Sequence, residues 1–181
     1  MRVLTLIGYR AVGKTAVAQV LAPRLGWDWV DADVEIERHA GKTIAEIFAQ
    51  DGEPAFRELE AAVTRELCGR DQLVFASGGG CPLREENRHA LKAAGKVVWL
   101  QAQPTTIWER MCADTTTQER RPDLTERGGI DEIIEVLSKR EPIYRELADF
   151  AIGTEGKSID QVAEDIVKWI GTFPRNEELQ L

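Results

Sequence analysis

The residues Gly8-Tyr9-Arg10-Ala11-Val12-Gly13-Lys14-Thr15 have the spacing of a phosphate-binding P-loop, and the apolar run Val3-Leu4-Thr5-Leu6-Ile7 stands directly before them. A strand that turns sharply into a helix there leaves its backbone N–H groups free to point at phosphate oxygens. Gly8 and Gly13 supply the permitted backbone angles, and the loop backbone, with Ala11 and Val12, would cradle the phosphates. Lys14 would set a point charge on the β- and γ-phosphates, and the Thr15 hydroxyl would be a ligand for the magnesium that bridges them. The start of the helix adds its dipole to the same site.

Three further groups could complete a phosphoryl transfer. Asp31 and Asp33 stand two positions apart at the end of a short strand read over residues 27–30, the end at which open α/β sheets bind ligands. Residues two apart on a strand share a face, so the pair could divide metal binding and acceptance of a hydroxyl proton; helix capping is the alternative for one of them. Ser77-Gly78-Gly79-Gly80 follows the apolar run Leu73-Val74-Phe75-Ala76 and offers N–H groups with no side chains in the way, as a ligand-facing loop would. Arg140 is a charge on an inward helix face, since Ile130, Ile133 and Leu137 step by three and four to Arg140, Tyr144 and Leu147. An inward guanidinium needs a carboxylate or a phosphate, from the chain or from a ligand. Arg57 lies beside a similar stripe, and two arginines able to grip a carboxylate beside a glycine-lined pocket suggest an anionic acceptor.

The elements that must hold these groups alternate between strand and helix. A helix runs from the P-loop to a stop at Gly26, with Pro23 near its end; another starts near Val34 and stops at Gly41. Thr43 with Glu46, and Ser158 with Gln161, form capping boxes. Phe56, Leu59, Val63 and Leu67 mark a longer helix, Pro82 opens one that reaches Ala94, and Pro104 opens one carrying Ile107, Trp108 and Met111. Val97 to Leu100 and Phe150 to Ile152 are further strands, and Pro142 is expected to kink or break the helix that carries Arg140. The alternation calls for a parallel sheet covered on both faces. Between Ala113 and Gly129 the apolar periodicity disappears, which in a small domain reads as a lid or binding loop. From about Thr172 the chain is a polar, acidic tail.

The 181 residues and 43% hydrophobic content are enough for one domain with a real core. The formal charge, 23 minus 31 or −8, argues against general attraction to nucleic acid or to an anionic membrane, and no apolar run approaches a membrane span. Met1-Arg2 leads straight into the first strand without a signal sequence, so a cytoplasmic location is expected. Cys68, Cys81 and Cys112 are too scattered for a disulfide framework or a zinc site, so three reduced thiols are expected; Cys81 borders the glycine run, a place where a thiol could be accessible to alkylating reagents.

Taken together, GYRAVGKT, DADVEIE, EPAFRELE, ASGGG, RRPDL and KREPIY, in this order from Val3 to about Trp169, make the chain resemble the shikimate kinases. The resemblance implies transfer of the γ-phosphate of ATP, with Mg2+, to the 3-hydroxyl of shikimate, within aromatic amino-acid biosynthesis. It implies an α/β fold of the P-loop NTPase type, three layers in α/β/α order with a five-stranded parallel sheet and a lid. Residues 1–171 would be one domain, with its lid at about 113–129 and a tail at 172–181. By matching motif, Lys14 and Thr15 hold phosphate and metal, and Asp31 supports the magnesium through water. Asp33 binds the shikimate hydroxyls and is the candidate base. Arg57 and Arg140 clamp the carboxylate, with the backbone of Gly78, Gly79 and Gly80 completing the pocket. Arg110 stacks on the adenine, and Arg121, or its neighbour Arg120, swings from the lid onto the transferring phosphate. The lid departs from the common Arg-Pro-Leu-Leu pattern, reading Arg121-Pro122-Asp123-Leu124.

The expected partner is therefore shikimate, with no nucleic acid, no membrane and a monomeric state. A kinase for gluconate or a nucleoside monophosphate is the nearest enzymatic rival. A nucleotide-binding regulator that performs no transfer is a reading from another class, against which the joint presence of Asp33, Arg57 and Arg140 weighs.

Overall fold

The computed structural model describes residues 2–113 and 129–172. Five strands, β1 (Val3–Ile7), β2 (Asp28–Asp31), β3 (Leu73–Ala76), β4 (Gly95–Gln101) and β5 (Phe150–Gly153), form one sheet in the order β2-β3-β1-β4-β5, and every pairing is parallel. The helices are α1 (Lys14–Leu25), α2 (Ala32–Ala40), α3 (Ile44–Gln50), α4 (Gly52–Cys68), α5 (Glu85–Ala94), α6 (Pro104–Ala113), α7 (Gly129–Leu147) and α8 (Ile159–Ile170).

Period-two alternation divides the central strands between two cores. Leu4 and Leu6 of β1, Val74 and Ala76 of β3, and Val98 and Leu100 of β4 pack with α1, α6, α8 and the first half of α7. Val3 and Ile7, Leu73 and Phe75, and Val97 and Trp99 pack on the other face with α2, α3, α4 and α5. The three-layer α/β/α arrangement read from the alternation is the one found. One helix serves both cores: α7 gives Ile133, Val136 and Leu137 to the first, and Tyr144 and Leu147 to the second. Arg140 lies between those two sets, where the helix crosses from one face of the sheet to the other.

β1 is the point at which strand order reverses, with β3 on one side and β4 on the other. Ligands of open α/β sheets bind beyond the carboxyl ends of such strands. Gly8 leaves β1 there at φ 139°, and a Cβ on it would lie 2.4 Å from the carbonyl oxygen of Leu100. No side-chain rotation can relieve that contact, because the backbone fixes the Cβ position and the oxygen is itself a backbone atom. Gly8→Ala is expected to destabilise the fold by about 3 kcal/mol, roughly 6–12 °C in Tm for a chain of this size. An unchanged melting curve would contradict the close packing of this turn.

Four boundaries differ from the sequence reading. β2 ends at Asp31 and α2 starts at Ala32, because the Asp31 carboxylate accepts the N–H of Asp33 at 2.9 Å and so caps the helix. The two aspartates therefore do not share a strand face. Pro82 lies in a 3₁₀ turn, Cys81–Leu83, and α5 starts only at Glu85 after an extended Arg84. Pro142 neither ends nor splits α7, which runs on to Leu147 with Tyr144 and Leu147 buried as anchors beyond the proline. Pro23 lies within α1, and Gly26 closes that helix in the left-handed conformation, as its position implied. No described helix is long and apolar enough to cross a membrane.

Candidate active site

The P-loop turns through Gly8, Ala11 at φ 61° and Gly13 at φ 97° before Lys14 opens α1. Ala11 has the angle a glycine would take most readily, so the loop is held there by its surroundings. The Lys14 ammonium donates to the carbonyls of Gly8 at 3.0 Å and Tyr9 at 2.8 Å, which folds its long side chain back over the loop. The Thr15 hydroxyl donates to Asp31 Oδ2, while Asp31 Oδ1 holds the start of α2. Asp31 thus combines both readings of the pair: it caps a helix and it reaches the P-loop threonine.

The glycine loop is stitched to the P-loop strand. Ser77 donates through its N–H at 3.0 Å and its hydroxyl at 3.1 Å to the carbonyl of Leu6. Residues 77–80 are all buried. A Cβ on Gly79 would sit 3.3 Å from the Gly8 carbonyl and 3.4 Å from Arg140 Nη1; one on Gly80 would sit 2.6 Å from Arg57 Nη1. Both guanidinium groups therefore touch the same short backbone stretch, from α4 and from α7, which brings together the two arginines that the sequence placed 83 positions apart.

Each arginine is aimed by a different device. Arg57 donates to Glu60 at 2.9 Å and to Glu53 at 3.0 and 3.2 Å, and it lies over the Phe56 ring. Burial alone would lower its pKa, but the carboxylates of Glu60 and Glu53 outweigh that and hold it above the usual arginine value. Arg140 is 9% exposed, and among the described residues no carboxylate lies within ion-pair distance of it. Its surroundings are the Tyr9 ring, 5.8 Å from the guanidinium carbon, and Tyr144. Tyr144 donates its hydroxyl to the Gly79 carbonyl at 2.6 Å; burial pushes its pKa up to about 12 despite the nearby Arg140, so it stays a neutral donor. Among the described residues the two guanidinium groups thus differ: Arg57 is ion-paired, and Arg140 has no carboxylate partner.

Asp33 lies in the first turn of α2 on the same side of the sheet. Burial, then the charges of Glu60 and more weakly Asp33, push the Cys81 thiol well above its ordinary range. Cys81 is fully buried and contacts the Thr64 hydroxyl at 3.4 Å, so its place beside the glycine run gives no access to reagents. Cys68 is also buried and pushed up to about 11, whereas Cys112 is exposed. A native sample treated with iodoacetamide is expected to gain one adduct, on Cys112. An adduct on the Cys81 peptide would contradict this packing.

Arg110 donates to the Thr154 hydroxyl at 2.9 Å and reaches the Ala11 carbonyl at 3.5 Å. With Val12, Gly13, Thr154, Lys157 and Ile159 it lines a cleft of about 250 Å³ on the flank of the P-loop. Arg120 and Arg121 lie outside the described residues, as does most of the segment read as a lid.

Sequence reasoning missed Glu60, Tyr144 and Tyr9 as parts of the site. Glu60 follows Arg57 by three on a helix, a spacing that signals a pair. Nothing in local spacing links Tyr144 or Tyr9 to the glycine loop.

The family model for shikimate kinase matches residues 10–171. A shikimate kinase of Rhodopirellula baltica is 44% identical over 165 residues, covering 91% of this chain and 88% of its relative. One of Symbiobacterium thermophilum is 39% identical over 165 residues, covering 91% and 94%. Among solved structures, the Acinetobacter baumannii shikimate kinase in complex with shikimate superposes with a TM-score of 0.88 at 34% identity, over 99% of this chain and 96% of that one. A gluconokinase of Sinorhizobium meliloti, 14% identical over 94% of this chain and 91% of its own with a TM-score of 0.55, shares the fold alone. With its P-loop, its glycine loop and its two converging arginines, the chain belongs to the shikimate kinase family.

Proposed function

We propose that this chain transfers the γ-phosphate of ATP to the 3-hydroxyl of shikimate. The observation that carries the reading is the convergence of Arg57 and Arg140 on Gly79 and Gly80, one strand away from the P-loop. An acceptor whose carboxylate enters that fork is fixed at one end, so its hydroxyls are presented to the mouth where Asp33 and the P-loop meet. Phosphoryl transfer needs little covalent help from a protein, and positioning with electrostatic stabilisation supplies most of the acceleration.

Roles follow for the remaining residues. Lys14, released from the loop carbonyls by a bound nucleotide, would turn its ammonium to the β- and γ-phosphates. Asp33 would hold the acceptor hydroxyl and accept its proton. Arg110 would border the adenine, and Arg121, or Arg120, is assigned to the transferring phosphate by resemblance alone. Thr15 and Asp31 offer adjacent hard oxygen donors at the foot of the loop, a set that suits Mg2+, which keeps several waters and takes phosphate oxygens. Thr15 and Asp31 would hold such an ion, which would supply neutralisation of the charge that develops on the phosphate. Cytosolic residence fits three free thiols, and a monomer is the expected state.

The test is ADP release with ATP and magnesium in the presence of shikimate, quinate, gluconate or a nucleoside monophosphate. Release that depends on shikimate is expected. Release with gluconate or a monophosphate instead would keep the phosphotransferase and discard the clamp; nucleotide binding without release on any acceptor would point to a regulator.

A further inference from the structure

The cleft on the flank of the P-loop is bordered by a guanidinium whose described hydrogen bonds all go to neutral oxygens. Arg110, on α6, donates through Nη1 to the Thr154 hydroxyl at 2.9 Å and to the Ala11 carbonyl at 3.5 Å. Through Nη2 it donates to the Thr154 carbonyl at 3.3 Å. Thr154 thus meets both prongs of the fork, one with its side chain and one with its backbone. The N–H groups of a guanidinium lie in its plane. An edge-on grip of this kind sets the plane and leaves the two faces to neighbours that present a flat or apolar surface.

Thr154 is itself fixed. It follows β5 directly, is 5% exposed, and donates its N–H at 2.9 Å and its hydroxyl at 3.1 Å to the carbonyl of Gln101, the last residue of β4. A hydroxyl has one proton to give. With that proton on Gln101, the oxygen turns its lone pairs to Arg110. The two strand ends have a further tie, since Glu155 accepts the N–H of Gln103. Two contacts therefore join this region without the Thr154 hydroxyl, whose own distinctive contact is the short one to Arg110.

We propose that Thr154 is a positioning residue for the nucleotide, its hydroxyl turning the Arg110 guanidinium so that a face and not an N–H edge meets the base of ATP. The proposal rests on the reading of Arg110 as the residue beside the adenine. Without the hydroxyl, Arg110 keeps only its two longer contacts, to the carbonyls of Thr154 and Ala11, and its plane is free to tilt. Thr154 acts on ATP affinity through Arg110.

The test is steady-state kinetics with ATP and shikimate varied in turn, inhibition by inorganic triphosphate, and thermal melts of each variant. Thr154→Val keeps the shape and removes the hydroxyl; it is expected to raise the ATP KM about threefold or more, with kcat and the shikimate KM within about twofold. Inorganic triphosphate occupies the P-loop without a base, so its inhibition constant is expected to stay within about twofold as well. Thr154→Ser, which keeps the hydroxyl, is expected to stay near the parent. In an Arg110→Ala background, Thr154→Val is expected to add less than about 1.5-fold to the ATP KM, because the group it positions is gone. A threonine that merely braces the strand ends predicts the same factor in both backgrounds, or a triphosphate constant that rises together with the ATP KM. Either result overturns the proposal, as does an ATP KM raised less than about threefold in Thr154→Val or raised equally in Thr154→Ser. Should Thr154→Val fail to fold, Thr154→Ala is read by the same criteria. Arg110→Ala alone separates the two levels: a raised ATP KM there with a negative Thr154 result removes only this proposal, whereas an unchanged one removes Arg110 from the adenine site.

Discussion

Asp33→Asn is expected to lower kcat for shikimate phosphorylation by about 10²- to 10⁴-fold, the range for loss of a positioned general base, while ATP affinity stays near that of the parent. The side chain keeps its shape and its place in the first turn of α2, where Asp31 holds its N–H at 2.9 Å. The negative charge and the capacity to accept a proton are removed, and one acceptor oxygen becomes a donor. The nucleotide contacts proposed above come from the P-loop, so ATP affinity is expected to be unchanged. Rapid-quench measurement of the first turnover would isolate the chemical step from product release. Near-parental turnover in Asp33→Asn would remove Asp33 from proton transfer and leave it a hydroxyl ligand.

Arg140→Ala is expected to weaken shikimate binding by about 30- to 5,000-fold, since truncating one partner of a buried charge contact costs about 2–5 kcal/mol. Arg140 is 9% exposed and has the Tyr9 ring and Tyr144 beside it, so the loss of its side chain also leaves a cavity. Arg140→Lys controls for that: it keeps the charge and most of the volume but loses the planar fork, and an intermediate loss is expected. Calorimetry with shikimate, and separately with ATP, checks both variants. Unchanged shikimate affinity in Arg140→Ala would refute the carboxylate clamp.

The sequence was most informative where a function is written in consecutive residues. The P-loop, the capping boxes at Thr43 and Ser158, and the stop at Gly26 all depend on neighbours in the chain, and each is found as read. Arg140 was legible as an inward charge because helical stepping exposes it. Its relation to Gly79 was not, because it depends on α7 crossing from one core to the other. Strand periodicity does not reach from Asp31 to Asp33, because β2 stops at Asp31, which itself caps α2. Bordering glycines alone do not tell whether Cys81 is exposed. In a loop packed under two arginines they mark close approach instead, and the thiol is buried against Thr64. The Arg10–Glu132 pair joins residues 122 positions apart, and no local pattern announces it.

The Arg57 device also shows why a glycine loop and an arginine must be read together. Glu60, 1% exposed, and Glu53 hold the guanidinium on the Gly80 side, where a Cβ would collide with it. Pre-organised in this way, Arg57 gives up little side-chain freedom when a carboxylate arrives, which favours affinity. Arg140 is held by aromatic groups and carries no matching carboxylate among the described residues. In the proposed clamp one arginine is fixed by its own ion pairs, and the other has the Tyr9 ring and Tyr144 beside it.

The most direct measurement of the central claim is two-dimensional proton–phosphorus NMR of the product formed from ATP, Mg2+ and shikimate. The account predicts a new phosphate monoester signal that correlates with the proton on C3 of shikimate, accompanied by stoichiometric ADP. Free phosphate as the only product, or a monoester correlating with another ring position, would contradict the geometry assigned to Asp33, Arg57 and Arg140.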